Sequence, residues 1–315
     1  MIRTKNLTKE YGGFKAVDNL NLKIDKGQIY GFLGPNGAGK TTTMLMLLGI
    51  LKPTQGEIYL MGESLTKNPL SLKKRIGVVS EKQYLYKEMT AGEYLSFFAS
   101  LYQVKNKEKK IKELLSAVRL LDVKNRKLGA FSRGMQQKLG FARALLHDPE
   151  LLLLDEPVSG LDPTGIKQVR DLIENENKKN RTIFISSHLL SEVERLCSKV
   201  AIINQGKLLA EDTMENLRKK LTNFIQLEVE LVEIKKEILD ALNSFDFIKE
   251  IEQEKNLLTL KVTTDKDHRA EISKTIAKKE GVILRISTKE MSLEEAFMTI
   301  TQKNISFLAS DKKVN

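Results

Sequence analysis

Gly34-Pro35-Asn36-Gly37-Ala38-Gly39-Lys40-Thr41-Thr42 lies between an apolar run, Gln28 to Leu33, and a second run, Thr42 to Leu51. The stretch fits the phosphate-binding loop pattern G-x-x-x-x-G-K-[ST], and its flanks read as the strand and the helix that the pattern requires. Glycines let the backbone curl so that successive N–H groups point inward, and the following helix turns its positive end to the same point. Such a cup binds polyphosphate. Lys40 would reach the β/γ-phosphates as a point charge, and the Thr41 hydroxyl would complete a Mg²⁺ shell. Without its flanks the same stretch would be a glycine-rich turn before an ordinary helix.

With 315 residues, 41% hydrophobic and 30% charged, the chain can bury the core of one large domain and a smaller one. Its apolar runs fall well short of the ~18 residues of a membrane span, and Met1-Ile2-Arg3-Thr4-Lys5-Asn6 lacks the apolar core of a signal peptide, so a cytoplasmic chain is expected. A single cysteine, Cys197, excludes an intramolecular disulfide and a multi-thiolate site, and three scattered histidines form no zinc ligand set. The net charge of +11 is uneven: residues 221–315 carry 15 Lys and Arg against 17 Asp and Glu, whereas residues 1–220 carry 37 against 24. A basic nucleotide-binding part suits polyphosphate, anionic headgroups or nucleic acid. With no arginine-rich tract or RNA-binding aromatic motif, basic faces near a membrane surface are the better reading, and no nucleic acid is expected.

Residues 1–33 alternate apolar and polar positions around Gly12-Gly13 and Lys26-Gly27, as several strands would. Tyr11 before the first turn is either a base-stacking ring or a half-buried strand tyrosine. Beyond the loop, Gly56–Leu60 and Arg75–Ser80 read as strands, and residues 90–121 and 132–147 show helical periodicity. Tyr94, Phe97, Phe98 and Leu101 fall on one helical face. Six of the 19 Phe and Tyr residues lie between Tyr84 and Tyr102, either as the core of a helical insert or as an exposed groove for a partner's helix. Ser132-Arg133-Gly134-Met135-Gln136-Gln137 reads as a helix start: Ser132 is a good N-cap, and the free N–H groups behind it either bind an anion or are simply capped.

Leu151-Leu152-Leu153-Leu154-Asp155-Glu156-Pro157 reads as a buried parallel strand ending in two adjacent carboxylates. Two acids there are costly unless they face something positive. Because alternate strand side chains diverge, Asp155 can address Mg²⁺ through its water shell while Glu156 faces an attacking water. Ser159-Gly160-Leu161-Asp162-Pro163 then turns into a helix over Thr164–Asn180. Arg181–His188 is a further apolar strand, ending in a histidine where the other ended in acids, and both ends open on one edge of a doubly wound sheet, where ligands bind. His147 and His268 read as structural. Beyond about Lys220 the order β-α-β-β-α-β, over Phe224–Leu231, 232–243, 247–252, 257–263, 266–280 and 282–288 with a final helix at 292–302, resembles a ferredoxin-like domain. It carries no catalytic constellation and reads as a regulatory or interaction module.

The loop Gly34–Thr42, the Asp155-Glu156 pair, the turn Ser159–Asp162, His188 and the stretch Ser132–Gln137 occur in the order and approximate spacing of ATP-binding cassette proteins, and this resemblance covers residues 1–220. The whole chain, with Met291-Ser292-Leu293-Glu294-Glu295-Ala296-Phe297 near its end, is similar to the ATPase subunits of bacterial drug, bacitracin and sodium exporters. The resemblance implies an α/β P-loop NTPase cassette with a mixed sheet and a helical subdomain at about 82–147. A small α+β domain at 221–303 and a tail at 304–315 follow. It implies an ATPase with ATP and Mg²⁺ as cofactors, adenine stacking on Tyr11, and nucleotide contacts along Gly34, Pro35, Asn36, Gly37, Ala38, Gly39, Lys40, Thr41 and Thr42. Two cassettes would pair head to tail, each ATP held by one loop and by Ser132, Arg133, Gly134 and Met135 of the other chain, with a dimer contact at Asp162. Glu156 would polarise the water, His188 would contact the γ-phosphate, and Thr41, Asp155 and Glu81 would hold Mg²⁺. The partners implied are a second copy or a homologous cassette and an integral membrane transporter subunit, docked beside Tyr84–Tyr102, on the inner face of the cell membrane.

Two departures stand out. The usual Leu-Ser-Gly-Gly-Gln is Phe131-Ser132-Arg133-Gly134-Met135 here, which adds a cation beside the phosphates, and the usual glutamine after Arg75–Ser80 is Glu81, with Gln83 two residues on. Two other classes compete. A soluble cassette of translation or DNA repair would carry a second phosphate loop or sustained heptads, neither of which is present. A GTPase would carry Asn-Lys-x-Asp, whereas Asn177-Lys178-Lys179-Asn180 ends in Asn.

Overall fold

Apolar–polar alternation at the start of the chain produces β1 (Ile2–Tyr11), β2 (Phe14–Leu20) and β3 (Lys23–Ile24), followed by the fully buried β4 (Ile29–Leu33) and, after the loop, α1 (Lys40–Leu47). The computed structural model describes residues 1–216, 224–263 and 266–289. The chain divides into two units, 1–214 and 215 onward. The expected boundary at 220, the helix at 292–302, the Met291–Phe297 segment and the 304–315 tail lie outside the described residues.

In the first unit β5 (Gln55–Leu60) and β6 (Glu63–Ser64) join an antiparallel sheet of order β2-β1-β5-β6, with β3 beside β1. The chain continues through α2 (Pro69–Lys73), β7 (Ile76–Val79), α3 (Ala91–Leu101), α4 (Lys107–Ala117), α5 (Arg133–Ala144), β8 (Leu151–Asp155), α6 (Pro163–Lys178), β9 (Thr182–Ser187), α7 (Leu190–Leu196), β10 (Lys199–Asn204) and β11 (Lys207–Thr213). The second sheet has the order β11-β10-β4-β9-β8-β7, parallel except at the β11 edge. Covered on both faces, its central strands need no polar alternation, which explains the four consecutive leucines of β8, all fully buried. Each contributes roughly 1.5–3 kcal/mol of transfer free energy. Tyr30, Phe184 and Phe32 stack across β4 and β9 with centroids 5.9 and 5.4 Å apart, fixing the strand before the loop to the strand before His188.

The helical insert differs from the continuous periodicity of 90–121. Thr90 opens α3 with a reciprocal cap to Glu93, but the chain leaves the helix after Tyr102, where Gln103 and Asn106 take left-handed conformations. The apolar face is split as well: Tyr94 is fully buried, while Phe97 and Leu101 are exposed, as are Tyr84 and Tyr86 in the segment before the helix.

The second unit holds β12 (Phe224–Leu231), α8 (Lys236–Asn243), β13 (Ile248–Glu254), β14 (Leu257–Thr263), α9 (Arg269–Lys278) and β15 (Ile283–Lys289). Its antiparallel sheet runs β13-β14-β12-β15, the ferredoxin-like order, and one face closes on Ile238, Leu242, Ile272 and Ile276 of the helices. His268 is buried against Phe247 at 3.8 Å, and His147 stacks on Tyr102 at 4.2 Å.

Candidate nucleotide site

Parallel pairing brings three strand ends together. Leu33 of β4 lies opposite Ser187 of β9, and Ser186 of β9 lies opposite Asp155 of β8, so the glycine loop, His188 and the acid pair leave the sheet at one edge. A cavity of about 250 Å³ opens there, lined by Phe14, Ala16, Asn36, Gly37, Gly39, Lys40, Thr41, Thr42, Glu81 and Glu156. The remaining loop residues frame it. Lys40 Nζ donates to the carbonyls of Gly34 at 2.7 Å and Pro35 at 3.2 Å, and buried Ala38 is held through its carbonyl by Gly206 N–H at 3.0 Å. Gly39 caps α1 in a left-handed conformation, φ 105°.

Glu156 is buried between Lys40 and His188. Its Oε1 stands 3.4 Å from Lys40 Nζ, and its Oε2 2.8 Å from His188 Nδ1. The divergence of the two acids does not come from the strand pleat. β8 ends at Asp155, and Glu156 has a left-handed backbone, φ 47°, pinned by N–H donation to Ser186 O at 3.0 Å. A non-glycine residue in that region costs on the order of 1–3 kcal/mol and persists where its surroundings fix it. Asp155 accepts a hydrogen bond from Ser186 Oγ, and burial, reinforced by the charges of Glu156 and Glu81, pushes its carboxyl above the usual range.

Several residues stand elsewhere. Tyr11, half exposed, lies opposite Phe14 across the Gly12-Gly13 turn, and Phe14 lines the cavity. Ser132 accepts from Met135 N–H at 3.3 Å as the cap of α5, and none of Ser132, Arg133, Gly134 and Met135 lines the cavity of its own chain. Asp162 caps α6 through Gly165 N–H at 3.1 Å. Glu81 borders the cavity, while Gln83 turns away, donates to Ser80 O at 2.7 Å and fills the space left by Gly140, where a Cβ would meet its Cδ at 2.6 Å. Asn177 donates to Gly27 O at 2.7 Å and to Arg181 O at 3.0 Å, so this element serves the turn before β4. Phe14 and Ser186 join the site with only weak signals in the sequence, an aromatic ring just past the glycine turn and a hydroxyl near the end of an apolar strand.

A main-chain cup with its lysine, facing a buried carboxylate held by histidine, is the arrangement of a P-loop nucleoside triphosphate hydrolase. The family model described as ABC transporter matches residues 17–159. The bacitracin transport ATP-binding protein BcrA of Bacillus licheniformis is 43% identical over 301 residues, 95% of this chain and 97% of that protein. A solved ATP-binding subunit of an ABC transporter aligns with a TM-score of 0.65 at 29% identity, over 70% of this chain and 92% of that one. A dimeric bacterial ABC transporter cassette gives 0.63 at 26% identity, over 68% and 99%. The chain belongs to the ABC transporter family and is an ATP-binding, ATP-hydrolysing subunit of that family. The full-length match to a transport protein favours this reading over a soluble cassette of translation or DNA repair. Among the described residues no helix is long and apolar enough to cross a membrane.

Proposed function

We propose that two copies of this chain close head to tail on two ATP molecules, and that closure and hydrolysis drive a separate membrane-spanning subunit that exports its cargo. The observation that carries this reading is the convergence of the phosphate cup, Lys40 and the Glu156–His188 pair on one sheet edge. Phosphates lie along Gly34–Thr42 and on Lys40, and the base stacks on the Tyr11 and Phe14 hairpin. Ser132, Arg133, Gly134 and Met135 of the second copy cover the triphosphate, with Asp162 at the dimer contact. As Lys40 turns to the phosphates it leaves Oε1 of Glu156 free to accept a proton from the attacking water, while His188 contacts the γ-phosphate.

Thr41, Asp155 and Glu81 offer hydroxyl and carboxylate oxygens, a donor set that suits Mg²⁺. When bound, Mg²⁺ neutralises charge on the β- and γ-phosphate oxygens. The exposed rings of Tyr84, Tyr86 and Phe97 support a docking surface for the membrane subunit, and the chain then works on the inner face of the cell membrane. Residues 1–220 are the motor, with a helical subdomain at about 82–147, and 221–303 an accessory domain.

Glu156→Gln tests this reading. The variant retains ATP, loses turnover and runs as a dimer with ATP on size exclusion. A monomer under those conditions, or normal turnover, would sink the proposal.

A further inference from the structure

We infer that Arg133 is a positioning residue that couples the two nucleotide sites of the pair through Glu81, an inference that rests on the dimer reading above. Arg133 occupies the first position of α5, where the helix dipole disfavours a cation, so its charge has to find partners. It finds them on two other segments. Nη2 lies 4.0 Å from Glu81 Oε1, in the loop after β7, and 3.5 Å from Ser159 Oγ, in the turn after β8. The guanidinium occupies space that a side chain at Gly160 would fill: a Cβ there would come within 2.5 Å of Nη1 and 2.6 Å of Cζ. One guanidinium thus joins the start of α5 to a residue that borders the cavity and to the turn behind the acid pair.

Both members of the pair have a second use. Glu81 lines the cavity, so a metal-bound triphosphate there draws its carboxylate inward. Arg133 is exposed beside the Ser132 cap, the segment that serves the other chain's phosphates, and a guanidinium binds phosphate oxygens more strongly than it binds a solvated carboxylate. With both side chains about half exposed and 4.0 Å between charges, the pair is weak enough to yield. Filling one chain's cavity turns Glu81 away from Arg133 and releases Arg133 to the partner's nucleotide, a positive coupling between the sites.

A double-mutant cycle in the full chain tests this link. In a Glu156→Gln background, the Mg–ATP concentration for half-maximal dimer is measured by analytical ultracentrifugation at low salt for Glu81→Gln, Arg133→Gln and the double variant. Glu81→Gln keeps an oxygen but frees Arg133, so it lowers that concentration about two- to fivefold, the range of a half-exposed ion pair. In the Arg133→Gln background the same change no longer lowers that concentration, so the two substitutions fail to add by at least about twofold. Effects that add within about twofold overturn the coupling and leave the dimer reading standing. A Glu156→Gln chain that forms no dimer at any ATP concentration overturns both.

Discussion

Alanine at Gly39 and at Gly37 separates the two things that glycine does in the phosphate cup. Both backbones are left-handed, φ 105° at Gly39 and φ 79° at Gly37, so either substitution carries a conformational cost of about 1–2 kcal/mol. They differ in space. A Cβ at Gly37 meets nothing within 4 Å, whereas at Gly39 it comes 2.4 Å from the carbonyl oxygen of Ala16 and 3.3 Å from Val17 Cγ2. That oxygen is main chain in β2, which is paired along β1 and cannot swing aside as a side chain could. The loop has to move instead, and with it Lys40, whose Nζ is fixed by Gly34 O at 2.7 Å. Displacement of the cup removes at least one charge-assisted contact to phosphate beyond the shared strain, about 2 kcal/mol or thirtyfold in affinity. Equilibrium binding of a fluorescent ATP analogue reads this directly, with circular dichroism melts confirming that both variants fold. Gly37→Ala binds within roughly tenfold of the parent, and Gly39→Ala binds at least about thirtyfold more weakly than Gly37→Ala. Equal affinities for the two variants would refute the steric argument.

Glu81 and Gln83 make opposite predictions for metal-dependent binding. Gln83→Ala, in a side chain packed on Gly140, changes Mg-dependent ATP affinity by less than about twofold, whereas Glu81→Ala weakens it about tenfold; the reverse order would reject Glu81 as the oxygen donor. Buried Arg181 binds Glu176 Oε2 at 2.6 Å, Asp148 and the Pro149 carbonyl, so Arg181→Ala lowers unfolding free energy by about 3 kcal/mol, the low end for a broken buried pair because Lys179 still reaches Glu176. A urea midpoint unchanged from the parent would contradict this. Hydrogen bonds from Arg181 hold the Asp148 carboxyl below its usual range, and Arg75 does the same for Glu150. Acids with lowered folded values stabilise above the ordinary carboxylate range and lose that contribution as pH falls through the lowered values, so the thermal midpoint drops below about pH 4. Asp148 is exposed and Glu150 half-buried, so the drop is modest, and Arg75→Gln makes it shallower; a steeper drop would count against the assignment.

The parts of the site legible in sequence are those set by local chemistry. Glycine spacing, a leucine run too apolar for a half-exposed strand, and acids or a histidine at strand ends each carry their meaning within about ten residues, and parallel pairing then brings them to one edge without further information. What escaped the sequence depends on which neighbour leaves room. Gln83 was as good a metal donor as Glu81 on paper; it turns away because Gly140, far along the chain, presents no Cβ. Phe14 lines the cavity and its cross-strand partner Tyr11 does not, although directly paired residues share a face of the sheet, so the choice is made by the side chains at the turn and not by the hairpin pattern. The left-handed turn at Glu156 is likewise invisible in Leu-Asp-Glu-Pro, since it is held by Ser186 on a strand paired later in the chain. The same reasoning bears on Arg133. A cation at a helix start reads as an error of local design, and it makes sense only once Gly160 and Glu81 are seen to meet it from two other segments.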